Sequence, residues 1–270
     1  MAFSEIADRG LVMLGCGKMG SAMLEGWLNR DLPPSSVHVL DPNPTDWLRA
    51  QGVSVNGDLP ASPAVVLLAV KPQLMAEALP GVARFGGGGT LFLSVAAGTP
   101  IATFEAALGA ETRIVRAMPN TPAAIGKGIT AIVGNAAATL EDLAMAEALL
   151  SAVGQVVRLE QEEQIDAVTG VSGSGPAYVF YMIDALAAAG VAEGLAPELA
   201  MALAKATVAG AGALATSAGE TPEQLRVNVT SPNGTTQAGL EVLMDEAAGL
   251  APLMRRTVAA AAGRSRELRG

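Results

Sequence analysis

Residues 15–20 read GCGKMG, and three glycines at that spacing suit one task well. Set between an apolar strand and a helix, they bring bare backbone N–H groups up to a pyrophosphate. Gly15 permits the tight turn, Gly17 lets the backbone approach the phosphates, and Gly20 lets the helix pack closely on the strand. Cys16 and Lys18 sit inside this loop. Asp41 ends the next apolar run, 21 residues after Gly20. An acid there accepts hydrogen bonds from ribose hydroxyls and repels a 2′-phosphate, which favours NADH over NADPH. The alternative is that Asp41 only caps the turn DPNP. Lys71 and Pro72 close the run LAVKPQ, SVAAG (94–98) offers small residues where a flat ring must pass, and MPNTP (118–122) sets Asn120 and Thr121 between prolines. Far downstream, TSPNGTTQAGL (230–240) gathers hydroxyls and a Pro-Asn-Gly turn within Ala, Gly, Leu and Val. It is either a helix cap or the seat of a small polar molecule.

The residues that are missing narrow the chemistry. The single histidine, His38, lies inside a strand on the adenosine side, where it reads as structural. Cys16 has no base nearby and reads as a small loop residue. Tyr178 and Tyr181 belong to no Tyr-x-x-x-Lys pair, and no HExxH or CxxC pattern points to a metal. Reduction of a ketone needs a proton delivered to a developing alkoxide. A protonated imine is already a good hydride acceptor, so this inventory fits C=N reduction better than C=O reduction.

These residues need a frame. Apolar runs at 11–15, 36–41, 64–70, 90–95, 112–118, 128–134 and 153–160 read as strands, and helical patterns fall between several of them. AVVLLAV (64–70) shows no polar alternation, as a parallel strand covered on both faces requires. The expected fold class is α/β: a Rossmann-type, doubly wound, mostly parallel sheet over 1–160, then an all-helical domain over 161–270. In the second part, SGSG breaks a helical stretch before Pro176. TPEQ (221–224) reads as a capping box with Thr221 as N-cap and Gln224 as its partner. A last helix turns basic towards its end.

The chain has 270 residues, 50% of them hydrophobic and 16% charged, enough to bury a large core. Aromatics are only 3%, so that core is aliphatic and close-packed. The net charge of −9 excludes nucleic acid as a natural partner. One cysteine rules out an internal disulfide, MAFSEIADRGL lacks the pattern of a secretory signal, and the apolar runs fall short of the roughly 20 residues that cross a bilayer. The expectation is a cytoplasmic protein with no membrane partner.

Taken in order, GCGKMGSAM, LAVKPQ, SVAAGTPI, RAMPNTPAAIGKG, AVTGVSGSGPAYVF and NVTSPNGTTQAGL make the chain resemble the pyrroline-5-carboxylate reductase family. The resemblance spans nearly the whole length, and its SGSGPAY and TSP-x-GTT stretches are specific to that family, whereas the glycine loop is not. It implies NAD(P)H-dependent reduction of (S)-1-pyrroline-5-carboxylate to L-proline. It also implies a homodimer through the helical domain, assembled in some members into a ring of dimers. Gly15, Gly17, Lys18, Met19 and Gly20 match the family's phosphate loop. Ala69, Val70, Lys71 and Pro72, with Ala96, Ala97 and Gly98, match its ribose and nicotinamide contacts. Asn120 and Thr121 match a loop near the nicotinamide, and Asn56 an adenosine contact. Ser231, Gly234, Thr235 and Thr236 match the substrate-carboxylate turn, and Thr236 approaches the ring nitrogen as the catalytic position. Asn233 replaces a usual glycine and Val227 a common acid. Asn tolerates a left-handed turn, so the conformation is expected to survive. A β-hydroxyacid dehydrogenase would need a lysine within 161–190, where there is none. Another imine reductase and a non-catalytic nucleotide sensor are the remaining alternatives.

Overall fold

The computed structural model describes residues 2–269. The first compact unit runs to Gly173 and takes in the chain again from Ala262, and the second is Ser174–Ala261. The C-terminal turns thus belong with the first unit.

The first unit is built on strands β1 (Leu11–Leu14), β2 (Val37–Leu40), β3 (Ser54–Val55), β4 (Val65–Leu68), β5 (Leu91–Ser94), β6 (Arg113–Met118), β7 (Gly128–Gly134) and β8 (Gly154–Arg158). Their order is β3-β2-β1-β4-β5-β6-β7-β8. All neighbours are parallel except β6 and β7. Seven of these strands were legible as apolar runs. The two-residue β3 was not, because it is too short to show a period. Its helices are α1 (Ala2–Arg9), α2 (Lys18–Leu28), α3 (Asp46–Arg49), α4 (Met75–Ala78), α5 (Ile101–Leu108), α6 (Leu140–Leu150) and α7 (Gln164–Val168).

Strand alternation divides the core into two layers. Leu11 and Met13, Val65 and Leu67, and Leu91 and Leu93 face one side with Met23, Trp27 and Leu149. Val12 and Leu14, Val66 and Leu68, and Phe92 face the other with Met75, Phe104 and Leu108. Successive residues of a strand point to opposite faces, so an uninterrupted apolar run feeds both layers. Trp27 is fully buried, and its Nε1 donates to the Leu149 carbonyl at 2.8 Å, which ties α2 to α6.

The second unit holds α8 (Gly175–Ala192), α9 (Pro197–Ser217), α10 (Pro222–Asn228), α11 (Thr235–Leu243) and the start of α12 (Leu250–Leu268). A π-helical turn, Thr169–Gly173, leads into the Gly-Ser break, and Ser174 is the N-cap of α8. Thr221 does cap α10, accepting from Gln224 N at 3.2 Å, but the Gln224 side chain donates to Asn228 instead of reaching back. α8 and α9 pack through Ala187, Ala200 and Ala204, and most of their larger apolar residues face outward.

The helical stretches Gln164–Ala192 (29 residues) and Pro197–Ser217 (21 residues) are long and apolar enough to cross a membrane by length and composition. Their apolar character was hidden in the sequence by interspersed Ala and Gly, which break visible apolar runs without adding polarity.

Candidate active site

Register aligns the carboxyl ends of the parallel strands: Leu14 pairs with Leu40 and Leu68, and Leu68 with Ser94. Gly15, Asp41, Ala69 and the loop after Ser94 therefore leave the sheet along one edge. The strand order reverses between β1 and β4, and ligands of doubly wound sheets bind outside that crevice.

The glycine loop has the shape its sequence requires. Gly15 sits at φ +87°, and a Cβ there would lie 2.8 Å from Val70 Cγ1 and 3.1 Å from the Ala69 carbonyl oxygen. A Cβ on Gly20 would lie 3.1 Å from the Gly15 carbonyl oxygen and 3.4 Å from Met13 Cε, so helix and strand approach as closely as glycine allows. A Cβ on Gly17 would meet nothing within 4 Å. That open space lies at the N-cap of α2, which no side chain caps. The loop therefore fits a pyrophosphate: Lys18 and Met19 open a helix whose first N–H groups are left for an anion.

Asp41 performs a second task beside any ribose contact. Its Oδ2 accepts from Cys16 N and its Oδ1 from Asn43 N, each at 2.8 Å, so it fastens the phosphate loop to the DPNP turn. Asn56, at φ +52°, exchanges two hydrogen bonds with the Asp41 backbone, at 2.8 and 2.9 Å. Asn56 thus holds Asp41 in place, a role the sequence did not reveal. The Cys16 thiol is pushed up in pKa, chiefly by burial and also by the Asp41 charge, against a hydrogen bond with Ser21. His38 Nδ1 donates to the Asp58 carbonyl at 3.0 Å, a structural bond.

The other strand-end residues fall along the same edge. Ala69 N donates to the Leu14 carbonyl, so Ala69 and Val70 lie against the Gly15 turn. Lys71 is exposed and precedes a short turn that begins at Pro72. Ala96 is buried, with its N–H held by Ser94 Oγ, and Gly98 turns the chain at φ +75°. Ala97 lies between them, exposed. Asn120 Oδ1 accepts from Ile129 N at 3.0 Å, fixing the turn that starts at Thr121.

In the second unit, the 231–236 turn differs from a hydroxyl cap. Gly234 is the N-cap of α11, and no side chain caps the helix. Gln237 reaches back instead, its Oε1 accepting from Asn233 N at 2.8 Å. Asn233 adopts φ +58°, the left-handed conformation expected of it. A Cβ on Gly234 would crowd the Ser231 carbonyl oxygen at 3.0 Å. The Ser231, Thr235 and Thr236 hydroxyls make no hydrogen bond among the described residues, so they remain available beside an open helix N-terminus. Val227 is exposed on α10.

Sequence reasoning missed a buried ionic group. Arg116, buried within β6, pairs with Glu162, which also accepts from Ile101 N at 2.9 Å. The signal was Arg116, set among the apolar residues that follow Arg113 in the run RIVRAM.

A doubly wound sheet with an open glycine loop at its switch point, followed by an apolar helical unit, defines an NAD(P)-dependent oxidoreductase with a dimerisation domain. Residues 162–268 match the family described as pyrroline-5-carboxylate reductase dimerisation, and residues 11–98 match the family NADP oxidoreductase coenzyme F420-dependent. The pyrroline-5-carboxylate reductase of Pseudomonas aeruginosa is 38% identical over 264 residues, covering 96% of each chain. The solved pyrroline-5-carboxylate reductase of Coxiella burnetii is 32% identical with a TM-score of 0.90, over 97% of this chain and 99% of that one. The Plasmodium falciparum enzyme, solved with NADP bound, is 26% identical with a TM-score of 0.81 over 97% and 99%. The chain belongs to the pyrroline-5-carboxylate reductase family.

Proposed function

We propose that the chain reduces (S)-1-pyrroline-5-carboxylate to L-proline with NAD(P)H, the last step of proline synthesis. Residues 1–160 hold the cofactor, and residues 161–270 take the substrate and dimerise. The observation that carries the substrate half is the uncapped start of α11, with the Ser231, Thr235 and Thr236 hydroxyls unengaged beside it. Free N–H groups at a helix start, aided by Ser231, receive a carboxylate. The Gly234 turn brings the backbone close to it, and Thr236 orients the ring nitrogen.

On the cofactor side, Gly15, Gly17, Lys18, Met19 and Gly20 receive the pyrophosphate. Asp41 meets the adenosine ribose and inclines the site to NADH, and Asn56 braces it from behind. Ala69–Pro72, Ala96–Gly98, Asn120 and Thr121 line the nicotinamide end. Bound there, the reduced nicotinamide supplies the hydride for carbon 5 of the imine. The chain contributes mainly position, since holding two reactants in a reactive geometry is a large catalytic term on its own. We further propose a ring of dimers and a cytoplasmic location, both in keeping with the apolar helical unit and the single buried cysteine.

The test is direct. Purified protein, NADH or NADPH, and pyrroline-5-carboxylate are mixed, and the reduced-nicotinamide absorbance is followed. Oxidation that depends on the imine acid supports the proposal, and no oxidation with either cofactor overturns it. The ratio of the two rates reads out what Asp41 selects.

A further inference from the structure

The last turn of the chain lies against the loop that leaves β5. Gly98, at φ +75°, is so placed that a Cβ would touch the Leu268 carbonyl oxygen at 3.7 Å and Leu268 Cβ at 3.8 Å. Leu268 and Arg269 share the lining of a cavity of about 650 Å³ with Pro72, Gly98, Thr99 and Pro100. The C-terminus thereby walls a space bounded by two of the loops assigned above to the cofactor.

The terminus is fastened there. Asp166 on α7 is 2% exposed, and its two oxygens take Ser265 Oγ at 2.7 Å and Arg269 at 2.5 Å. A buried carboxylate needs such partners, and removing one leaves a charge without compensation. Four residues earlier, Glu162 accepts from Ile101 N, the first N–H of α5, whose N-cap Pro100 has no side-chain acceptor. Glu162 is itself held by Arg116. Two acids four residues apart, Glu162 in the turn before α7 and Asp166 on it, therefore act on the two sides of residues 98–101. Glu162 anchors the start of α5, and Asp166 anchors the terminal turn that rests on Gly98.

We infer that Arg269, locked by Asp166, is a positioning residue that holds the Ala96–Gly98 loop in the conformation that receives the nicotinamide end of the cofactor. The inference rests on the reading of that loop given under the proposed function. Arg269 acts through Leu268 and the loop and touches no reactant. Without the lock, the terminal turn lifts and the loop samples other conformations. Apparent affinity then falls in proportion to the fraction of molecules that remain competent.

The experiment titrates the full-length chain with NADH and with NADPH, following nicotinamide fluorescence without substrate, for wild type, Arg269→Ala, Arg269→Lys and Ser265→Ala. Loss of this charge-assisted bond is expected to weaken cofactor binding about tenfold in Arg269→Ala. Arg269→Lys, which keeps a cation for Asp166, is expected to stay within about twofold of wild type. Ser265→Ala should fall between them. At saturating cofactor, KM for the imine acid is expected to be unchanged in all three. Wild-type cofactor affinity in Arg269→Ala overturns the inference. So does a loss that Arg269→Lys fails to rescue, or one shared equally by the KM of the imine acid, since either marks a general structural role. A wild-type chain that binds neither cofactor overturns the proposed function itself, and this inference with it.

Discussion

Asn233 shows how one side chain can satisfy a backbone demand. Its φ of +58° is left-handed, and Asn visits that region more readily than other side chains do. Asn233→Gly should leave stability nearly unchanged. Asn233→Val, β-branched, should cost about 1–3 kcal/mol in chemical denaturation and lower activity by disturbing the turn. Thr236 is expected to behave differently. Thr236→Ala should lower kcat with little change in cofactor affinity, and full activity in that variant would remove its assigned role. Cys16 gives a prediction with a pH sign. Its folded-state pKa is raised, so the stability linked to it is present below the unfolded-state value and is lost as pH rises through the folded one. The thiol is therefore protonated near neutral pH and buried. Iodoacetamide should label it slowly in the native protein and fast in denaturant, and equal rates would contradict the burial.

At the scale of elements, helix starts separate structure from function. α6 begins with a complete capping box: Thr139 Oγ1 accepts from Asp142 N at 3.2 Å, and Asp142 Oδ2 accepts from Thr139 N at 2.9 Å. Thr139→Ala should cost about 1 kcal/mol, read as a shifted denaturation midpoint with an unchanged slope. α2 and α11 have no side-chain cap, and these are the two helix starts assigned to ligands. α5, α8 and α9 also start without a side-chain cap from the N-cap residue, so it is the unengaged hydroxyls beside the α11 start, and the glycine loop at the α2 start, that set these two apart. From sequence TSPNGTT reads either as a cap or as the seat of a small polar molecule, and the pattern of hydrogen bonds shows that its hydroxyls do not cap α11.

At the scale of the whole molecule, the second unit leaves large apolar residues outside. Phe180 is 60% exposed and Tyr181 75% on α8, and Leu203 and Leu214 on α9 are about half exposed. Residues 162–268 match a dimerisation family, and we propose these apolar faces as the surface that a second copy covers. The same faces make α8 and α9 resemble membrane spans in length and composition. Phe180→Asp should shift the chain from dimer to monomer in light scattering and lower turnover with it. An unchanged dimer would place the interface elsewhere. Wild-type thermal stability should rise with protein concentration, as mass action requires of a subunit interface.

The sequence by itself determined the glycine loop, the strand ends, the Rossmann class and the left-handed Asn233. Each of these depends on local backbone demands or on strand periodicity, which short stretches of residues encode. Tertiary structure decided the rest. It set Asn56 behind Asp41 and left the hydroxyls of 231–236 free. It also brought Arg116 to Glu162, and Ser265 and Arg269 to Asp166. These partners are distant in the chain, and no local spacing specifies them. They meet because the sheet and its helices fold them together, and a buried charge, once placed there, requires a partner.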